Sequence, residues 1–422
     1  MAQRTAEFIE ESRRKLAQVT VGGFAPKGTH PLNDDVNLMS GAAYGGTSGP
    51  HGWMTWLRDN APVYHDPASD VWALAKYRDI VDASRNPTVF SNEHNIRPKT
   101  GHVPMLISMD DPEHKQRRRN LVRGFTPRQA AMQTDHVRGI VADLIDAVIE
   151  QGQCDFVWDI AAWLPLIVIG DMLGVLPEDR AQLLEWSDLL LKGTEGSLEA
   201  MAEATVAFGE YFEFQGRIVR DRRENPRDDL VSVLCTADVD GTLLDDEAII
   251  WESLLILIGG DETTRHVISG GMLELLRNRS LFEELQADAD RMKLPRAIDE
   301  MLRWVSPIKS MSRHVTEDIE IRDQTIPAGD EVLLLYPSGN RDEDVFTDPF
   351  TFDLHRDPNP HIAFGHGSHF CLGSHVAKVE LTVLFDEVFR RLPDLELAAD
   401  PGALELRNSS FTSGLERLPV TF

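Results

Sequence analysis

Cysteine is scarce. Cys154, Cys235 and Cys371 are odd in number, far apart along 422 residues and free of any CxxC pair, so neither a disulfide framework nor a structural zinc site is indicated. Such usage suits a reducing compartment. Aromatic residues make up only 7%, yet 42% of residues are hydrophobic, which is enough for a sizeable core and excludes a disordered or fibrous chain. Positive charge is in deficit: 42 Lys plus Arg against 69 Asp plus Glu give a formal net charge of −27. That balance argues against nucleic acid and anionic membranes as partners, because both present negative charge. Long apolar runs are also missing. The two most apolar stretches, 161–176 and 248–260, are interrupted by Pro165 and Asp171 and by Glu252. Both fall short of the roughly 18 residues of a membrane span. The N-terminal segment MAQRTAEFIEESRRKLAQ is charged every few residues, unlike a signal peptide. The expectation is a cytoplasmic protein with no membrane anchor.

No internal repeat or low-complexity linker stands out, and at roughly 150 residues per domain the length suggests two or three domains, although one large enzyme fold reaches this size. Residues 22–50, rich in Gly, Pro and Ser, read as an extended lead-in after a short N-terminal helix. Short alternating pieces such as APVYHD and VWALAKY read as strands. From about 113 to 310 the periodicity is helical. Residues 315–335 return to short strands around a Pro327-Ala328-Gly329 turn, and 337–370 form a long, polar, Pro-rich segment of the kind that usually carries function.

Residues 246–278, DEAIIWESLLILIGGDETTRHVISGGMLELLRN, read as one helix roughly 45 Å long. Its centre conflicts with that reading. Gly259 and Gly260 each cost about 1 kcal/mol relative to alanine in a helix interior, and two acids and two threonines follow them. Two readings are open. Either the missing side chains let a flat ligand approach the backbone beside a proton-handling Glu262 and Thr263, or the glycine pair lets another helix cross closely.

The segment FGHGSHFCLG, Phe364 to Gly373, places Cys371 among glycines just ahead of a helix, where amide groups and metal coordination favour a thiolate. A lone cysteine is more often a small buried hydrophobe. This string, however, resembles the haem-binding signature of the cytochrome P-450 superfamily, matching FGxGxHxCLG at Phe364, Gly365, Gly367, His369, Cys371, Leu372 and Gly373. Further matches follow in order. EMLR supplies Glu300 and Arg303 in ExxR spacing, on one helical face. GGDETT resembles the oxygen-binding signature of the long central helix, a resemblance that decides between the two readings in favour of the functional one, and HKQRR gives His114 and Arg118 in HxxxR spacing.

The resemblance implies a mainly α fold with a smaller β-rich portion, read as a lead-in over 1–50 and a single haem domain over 51–422. It implies haem b as cofactor, with Cys371 as its iron ligand. His114, Arg118, Arg313 and His369 would hold the haem propionates, four potential cations against two carboxylates, and Gly259 and Phe364 would lie against the ring. Glu300 and Arg303 would lock the fold. Many members complete that lock with an arginine just before the phenylalanine of DPFTFDLHR, but here Thr351 precedes Phe352, leaving Arg356 or His355 as candidates. The implied activity is insertion of one atom of dioxygen into a C–H bond, because thiolate ligation favours O–O cleavage. Thr263 would hydrogen-bond dioxygen and Glu262 would feed protons.

Longer phrases, LLILIGGDETTRHVISGG, EMLRWVSPIKSM and the terminal SGLERLPV, resemble actinobacterial sterol side-chain hydroxylases acting on cholesterol or cholest-4-en-3-one. Met105, Leu106, Leu255, Ile308, Met311 and Phe411 would form the apolar substrate wall, with Lys309 either meeting a polar substrate group or facing solvent. The alternatives are a hydroxylase of fatty acids, terpenes or aromatic compounds, and a haem-thiolate ligand-binding or sensor protein. Six Lys or Arg (Lys115, Arg117, Arg118, Arg119, Arg123, Arg128) against Glu113 give 113–128 a balance of 6 − 1 = +5. With Lys378, this patch is expected to dock an acidic iron-sulfur ferredoxin, itself reduced by a NAD(P)H-dependent reductase. The other reading is a solvated helix face.

Overall fold

The computed structural model describes residues 37–422 apart from 48, 194–197 and 240–241; the N-terminal helix and most of the expected lead-in lie outside the described residues. The fold is mainly α. The helices that build the site are α1 (Glu113–Leu121), α2 (Trp163–Met172), α3 (Arg180–Lys192), α4 (Leu198–Glu224), α5 (Asp246–Gly260), α6 (Glu262–Arg277), α7 (Leu294–Val305) and α8 (Ser374–Arg391). Their buried faces share one large apolar core, in which α8, α7 and α6 meet α2 and α5.

Capping chemistry sets the ends of these helices. The Asp245 side chain accepts from the Ala248 amide at the start of α5, with Asp246 and Glu247 in the first turn where the helix dipole favours them. Pro295 opens α7, and Ser306 ends it in the left-handed conformation (φ 41°). The expected single helix over 246–278 is two. Asp261 (φ −77°, ψ −73°) distorts the helical path between α5 and α6 without leaving right-handed helical space, at the place where the glycines, acids and threonines conflict with helix formation.

A five-stranded sheet flanks the helices in the order β1 (Val63–Asp66), β2 (Val71–Leu74), β5 (Glu331–Leu334), β4 (Met311–Val315), β3 (Phe90–Ser91). Strand β4 pairs antiparallel with β5, His314 opposite Glu331 and Arg313 opposite Val332, and with β3, where Ser91 lies opposite His314. Side chains alternate along a strand, so Arg313 points to one face while Ser312 and His314 point to the other. A smaller sheet joins Gln153–Asp155, Pro419–Thr421 and Glu396–Leu397, bringing the C-terminal segment back over the helices.

Candidate active site

The loop before α8 is built around its cysteine. Gly365 and Gly367 adopt left-handed conformations (φ +70° and +75°), and a Cβ at Gly367 would lie 2.1 Å from the Ser84 carbonyl oxygen, so only glycine fits there. The Cys371 amide donates to the Phe364 carbonyl at 2.9 Å, closing the loop. Burial pushes the Cys371 thiol up, while the Gly373 and Ser374 amides and the Arg118 guanidinium act in the opposite direction. Two amide donors and a nearby positive charge favour the thiolate form that binds a metal.

Two guanidinium groups and two imidazoles gather beside this loop. Arg118 donates to the Phe370 carbonyl, and the His114 and His369 rings lie 4.1 Å apart. Arg313, 3% exposed, bonds to Tyr336. Burial holds His369 well below the usual imidazole range, reinforced by Arg313, His114 and Arg118. His114 is lowered by burial too, and its Nε2 is buried without a hydrogen-bond partner. A thiolate position beside two guanidinium groups and two buried imidazoles, one with an orphaned ring nitrogen, fits an iron porphyrin with two carboxylates.

At the junction of α5 and α6 each of the two readings holds for one glycine: the expected ligand side for Gly259, and helix packing for Gly260. A Cβ at Gly260 would lie 2.6 Å from Ile169 of α2, which is the close helix approach. A Cβ at Gly259 would have no neighbour within 4 Å, which leaves room for a ligand. Thr263 donates from Oγ1 to the Gly259 carbonyl at 2.9 Å, so the hydroxyl sits in the helix break.

Glu262 is completely buried and caged. Its Oε1 accepts from Arg265 (2.8 Å) and Arg407 (2.6 Å), its Oε2 from Thr412 (2.5 Å), and His266 lies 3.6 Å away. Burial alone would raise its pKa, but His266, Arg265 and Arg407 hold it far below the usual carboxylate range. Arg407 also bonds Asp188 at 3.1 Å and lines a surface cleft of about 240 Å³ with Trp158, Lys192, Asn408 and Glu416. The spacing in GGDETTRH could have foretold Arg265 and His266, three and four residues beyond Glu262. Nothing local to the motif foretells Arg407 or Thr412.

Asp261 is a second buried acid. Its Oδ2 accepts from Ser187 at 2.8 Å, Oδ1 has no partner, and burial raises it to about 6 despite Arg265. Behind it on α8, burial and then Asp261 raise Glu380 to about 8. A raised carboxyl keeps in the folded state a proton that the unfolded chain releases near pH 4.3, so its contribution to stability falls as pH rises to about 8. Glu380→Gln should therefore gain stability relative to the parent as pH rises from 5 to 8, by at most about 1.4 kcal/mol per pH unit, and level off above. Denaturant midpoints of both chains across that range check the slope.

Glu300 and Arg303 are fully buried and joined by two bonds of 2.7 and 2.6 Å. Arg356 completes the network from Nε to Glu300 (3.1 Å), and its guanidinium also bonds the Thr347, Asp348 and Thr351 carbonyls. His355 instead bridges to Glu284.

The apolar wall residues fall in two groups. Met105, Leu106 and Leu255 share the helical core, whereas Ile308 and Met311 pack against the sheet cluster. Phe411 lies under the Arg97 guanidinium (5.3 Å) and its carbonyl accepts from the Lys309 amide. Lys309 does not face solvent: its ammonium donates to the Val305 and Ser306 carbonyls, and burial lowers it to about 7. The basic patch also needs correction. Lys115, Arg119, Arg123 and Arg128 are exposed, but Arg117 is 8% exposed and bonds Glu252 at 3.1 Å, and Arg118 belongs to the cysteine loop. The helical period turns Arg117 inward toward α5. Lys378 lies 6.0 Å from the Phe364 ring and pairs with Asp299.

No helix among the described residues is long and apolar enough to cross a membrane. Residues 166–396 match the family model for cytochrome P450. The chain is 46% identical to the steroid C26-monooxygenase of Mycobacterium tuberculosis over 390 residues, covering 92% of this chain and 97% of that one. It is 36% identical to the methyl-branched lipid omega-hydroxylase of Mycobacterium bovis, over 88% of this chain and 90% of that one. Among solved structures, CYP109E1 from Bacillus megaterium in complex with testosterone superposes with a TM-score of 0.82 at 31% identity, covering 89% of this chain and 98% of that one. With the cysteine loop, the cationic cluster and the ExxR network in place, the chain belongs to the cytochrome P450 family.

Proposed function

We propose that this cytochrome P450 hydroxylates the terminal methyl of a sterol side chain, on a substrate such as cholesterol or cholest-4-en-3-one. The observation that carries this reading is the 46% identity, over nearly its whole length, to a steroid C26-monooxygenase. The apolar residues Met105, Leu106 and Leu255 of the helical core suit such a substrate. The likeness to a methyl-branched lipid omega-hydroxylase favours a branched fatty chain as the second reading, with oxidation again at a chain end.

Bound haem supplies the chemistry that no side chain performs, cleavage of the O–O bond and oxidation of an unactivated C–H bond. Cys371 would hold the iron through a sulfur that the Gly373 and Ser374 amides face, and His114, Arg118, Arg313 and His369 would hold the propionates. Gly259 leaves room where a ligand would approach the helix, and Thr263, bonded to the Gly259 carbonyl, would present its hydroxyl there. Glu262 relays protons toward Thr263, and Arg407 links it to the cleft at Asp188 and Lys192. The apolar wall orients the substrate and excludes water.

Electrons enter on the face of Lys115, Arg119 and Lys378, from an acidic ferredoxin served by a NAD(P)H-dependent reductase, in the cytoplasm. The support is geometric: α1 touches the cysteine loop through Arg118, so its exposed basic residues border the thiolate side. The described part of 51–422 acts as one haem domain. The test is a panel of cholest-4-en-3-one, straight and methyl-branched fatty acids and a terpene, with NADPH, ferredoxin and reductase. Cholestenone should shift the iron to high spin and yield a singly hydroxylated product, with turnover falling as salt rises. Neither shift nor product with cholestenone refutes the sterol reading, and salt-independent turnover refutes the docking face.

A further inference from the structure

On the sheet face opposite Arg313, three side chains converge without bonding one another. His314 of β4 lies directly across from Glu331 of β5, and His94 follows three residues after Ser91, which pairs with His314 from the other side. Both Nδ1 atoms point at the same carboxylate oxygen: Glu331 Oε1 is 3.8 Å from His314 and 3.9 Å from His94. These separations are too long for hydrogen bonds. The His314 Nδ1 is buried and has no hydrogen-bond partner, an unusual state for a buried ring nitrogen. The two imidazoles stack with centroids 3.7 Å apart, an arrangement that suits neutral rings and penalises two charged ones. The candidate donor atoms all lie within 4.8 Å of one another.

We propose that His94, His314 and Glu331 form a binding site for a borderline divalent transition-metal ion, Zn²⁺ or a similar ion, separate from the haem. Two imidazoles and one carboxylate are a known zinc ligand set, and a three-ligand site leaves its remaining position to water. With metal–ligand bonds of about 2.0–2.2 Å, tetrahedral ligands sit about 3.4 Å apart. The two separations to Glu331 therefore need to close by roughly half an ångström, and the two histidine nitrogens, within 4.8 Å of each other, by up to about 1.4 Å. The rings lie 22° from parallel, and rotation about the broad χ2 wells of the two histidines opens the stack so that both lone pairs meet at one point.

The surroundings are arranged for this. Ser312 donates to Glu331 Oε2 at 2.5 Å, which fixes the carboxylate and leaves Oε1 to face the histidines. Half of the His94 side chain is exposed, so the ion has a path from solvent, while Glu331 and His314 are held in paired strands. Lys99 is the nearby charge that opposes a cation. An ion here ties the segment after β3 to β4 and β5. It braces the strand that carries Arg313 on its other face.

The test uses haem-loaded, untagged enzyme freed of other metals by chelation. Calorimetric titration with ZnCl₂ should give one site per chain. His94→Ala and His314→Ala should each weaken it at least tenfold, Glu331→Gln should weaken it, and His136→Ala, at an unrelated exposed histidine, should not. Zn²⁺ should raise the thermal midpoint of the parent and not that of His94→Ala. His94 is exposed, so its variant should keep the thiolate-type spectrum of the reduced carbon monoxide complex. Binding of equal affinity and stoichiometry in His94→Ala, or no Zn²⁺ binding by the parent, overturns the proposal.

Discussion

Glu300→Ala should abolish haem incorporation, and Arg303→Ala should do nearly the same. Glu300 receives Arg303, Arg356, Asn359 and the Asp353 amide, all within 3.3 Å and without solvent. Removing it strands two guanidinium groups in the interior. Leaving a buried charge unpaired costs about 3–5 kcal/mol, a large part of the roughly 5–15 kcal/mol that holds a domain folded. Arg303 further bonds the Asn340, Pro349 and Thr351 carbonyls, so its loss also frees the segment leading to the cysteine loop. Haem-to-protein ratio and denaturant midpoint are the measurements. A Glu300→Ala chain with full haem content and a midpoint loss below about 1 kcal/mol would show that the network is dispensable.

The second large effect concerns proton supply. Glu262→Gln should lower coupled turnover by about 10²-fold or more, the usual contribution of a positioned acid or base, and divert reducing equivalents from product to peroxide. The cage sharpens this expectation. A carboxylate held by Arg265, Arg407 and Thr412 is a weak base where it sits, so proton transfer requires loosening one of those bonds. Arg407 is the partner at the cleft, joined also to Asp188. Arg407→Gln should therefore raise the Glu262 pKa and move the acid limb of the turnover profile upward, changing turnover far less than Glu262→Gln does. Equal losses in both variants, with no change in pH profile or solvent isotope effect, would reduce Arg407 to packing.

What the sequence disclosed follows the range over which each device is built. The cysteine loop and ExxR were legible because a turn, a ligand and an i, i+3 pair are written within a few residues. The conflict at GGDETT was legible too, but not its resolution: one glycine serves helix packing and the other the ligand side, a division set by where Ile169 lies. Arg117 was misread because charge counts along a helix ignore which face is buried. Arg356 was one of two candidates, and packing against Glu300 chooses it over His355, whereas Arg407 arrives from 145 residues beyond Glu262. No local pattern encodes such partners.

The Arg117–Glu252 bond spans from the thiolate-side helix α1 to the oxygen-side helix α5, and the same carboxylate accepts the Leu106 amide at 3.0 Å. A protein docked on Lys115 and Arg119 and a substrate at Leu106, as proposed above, would act on one shared group. Thermodynamic linkage then requires reciprocity: whatever factor docking imposes on substrate affinity through this bond, substrate imposes on docking.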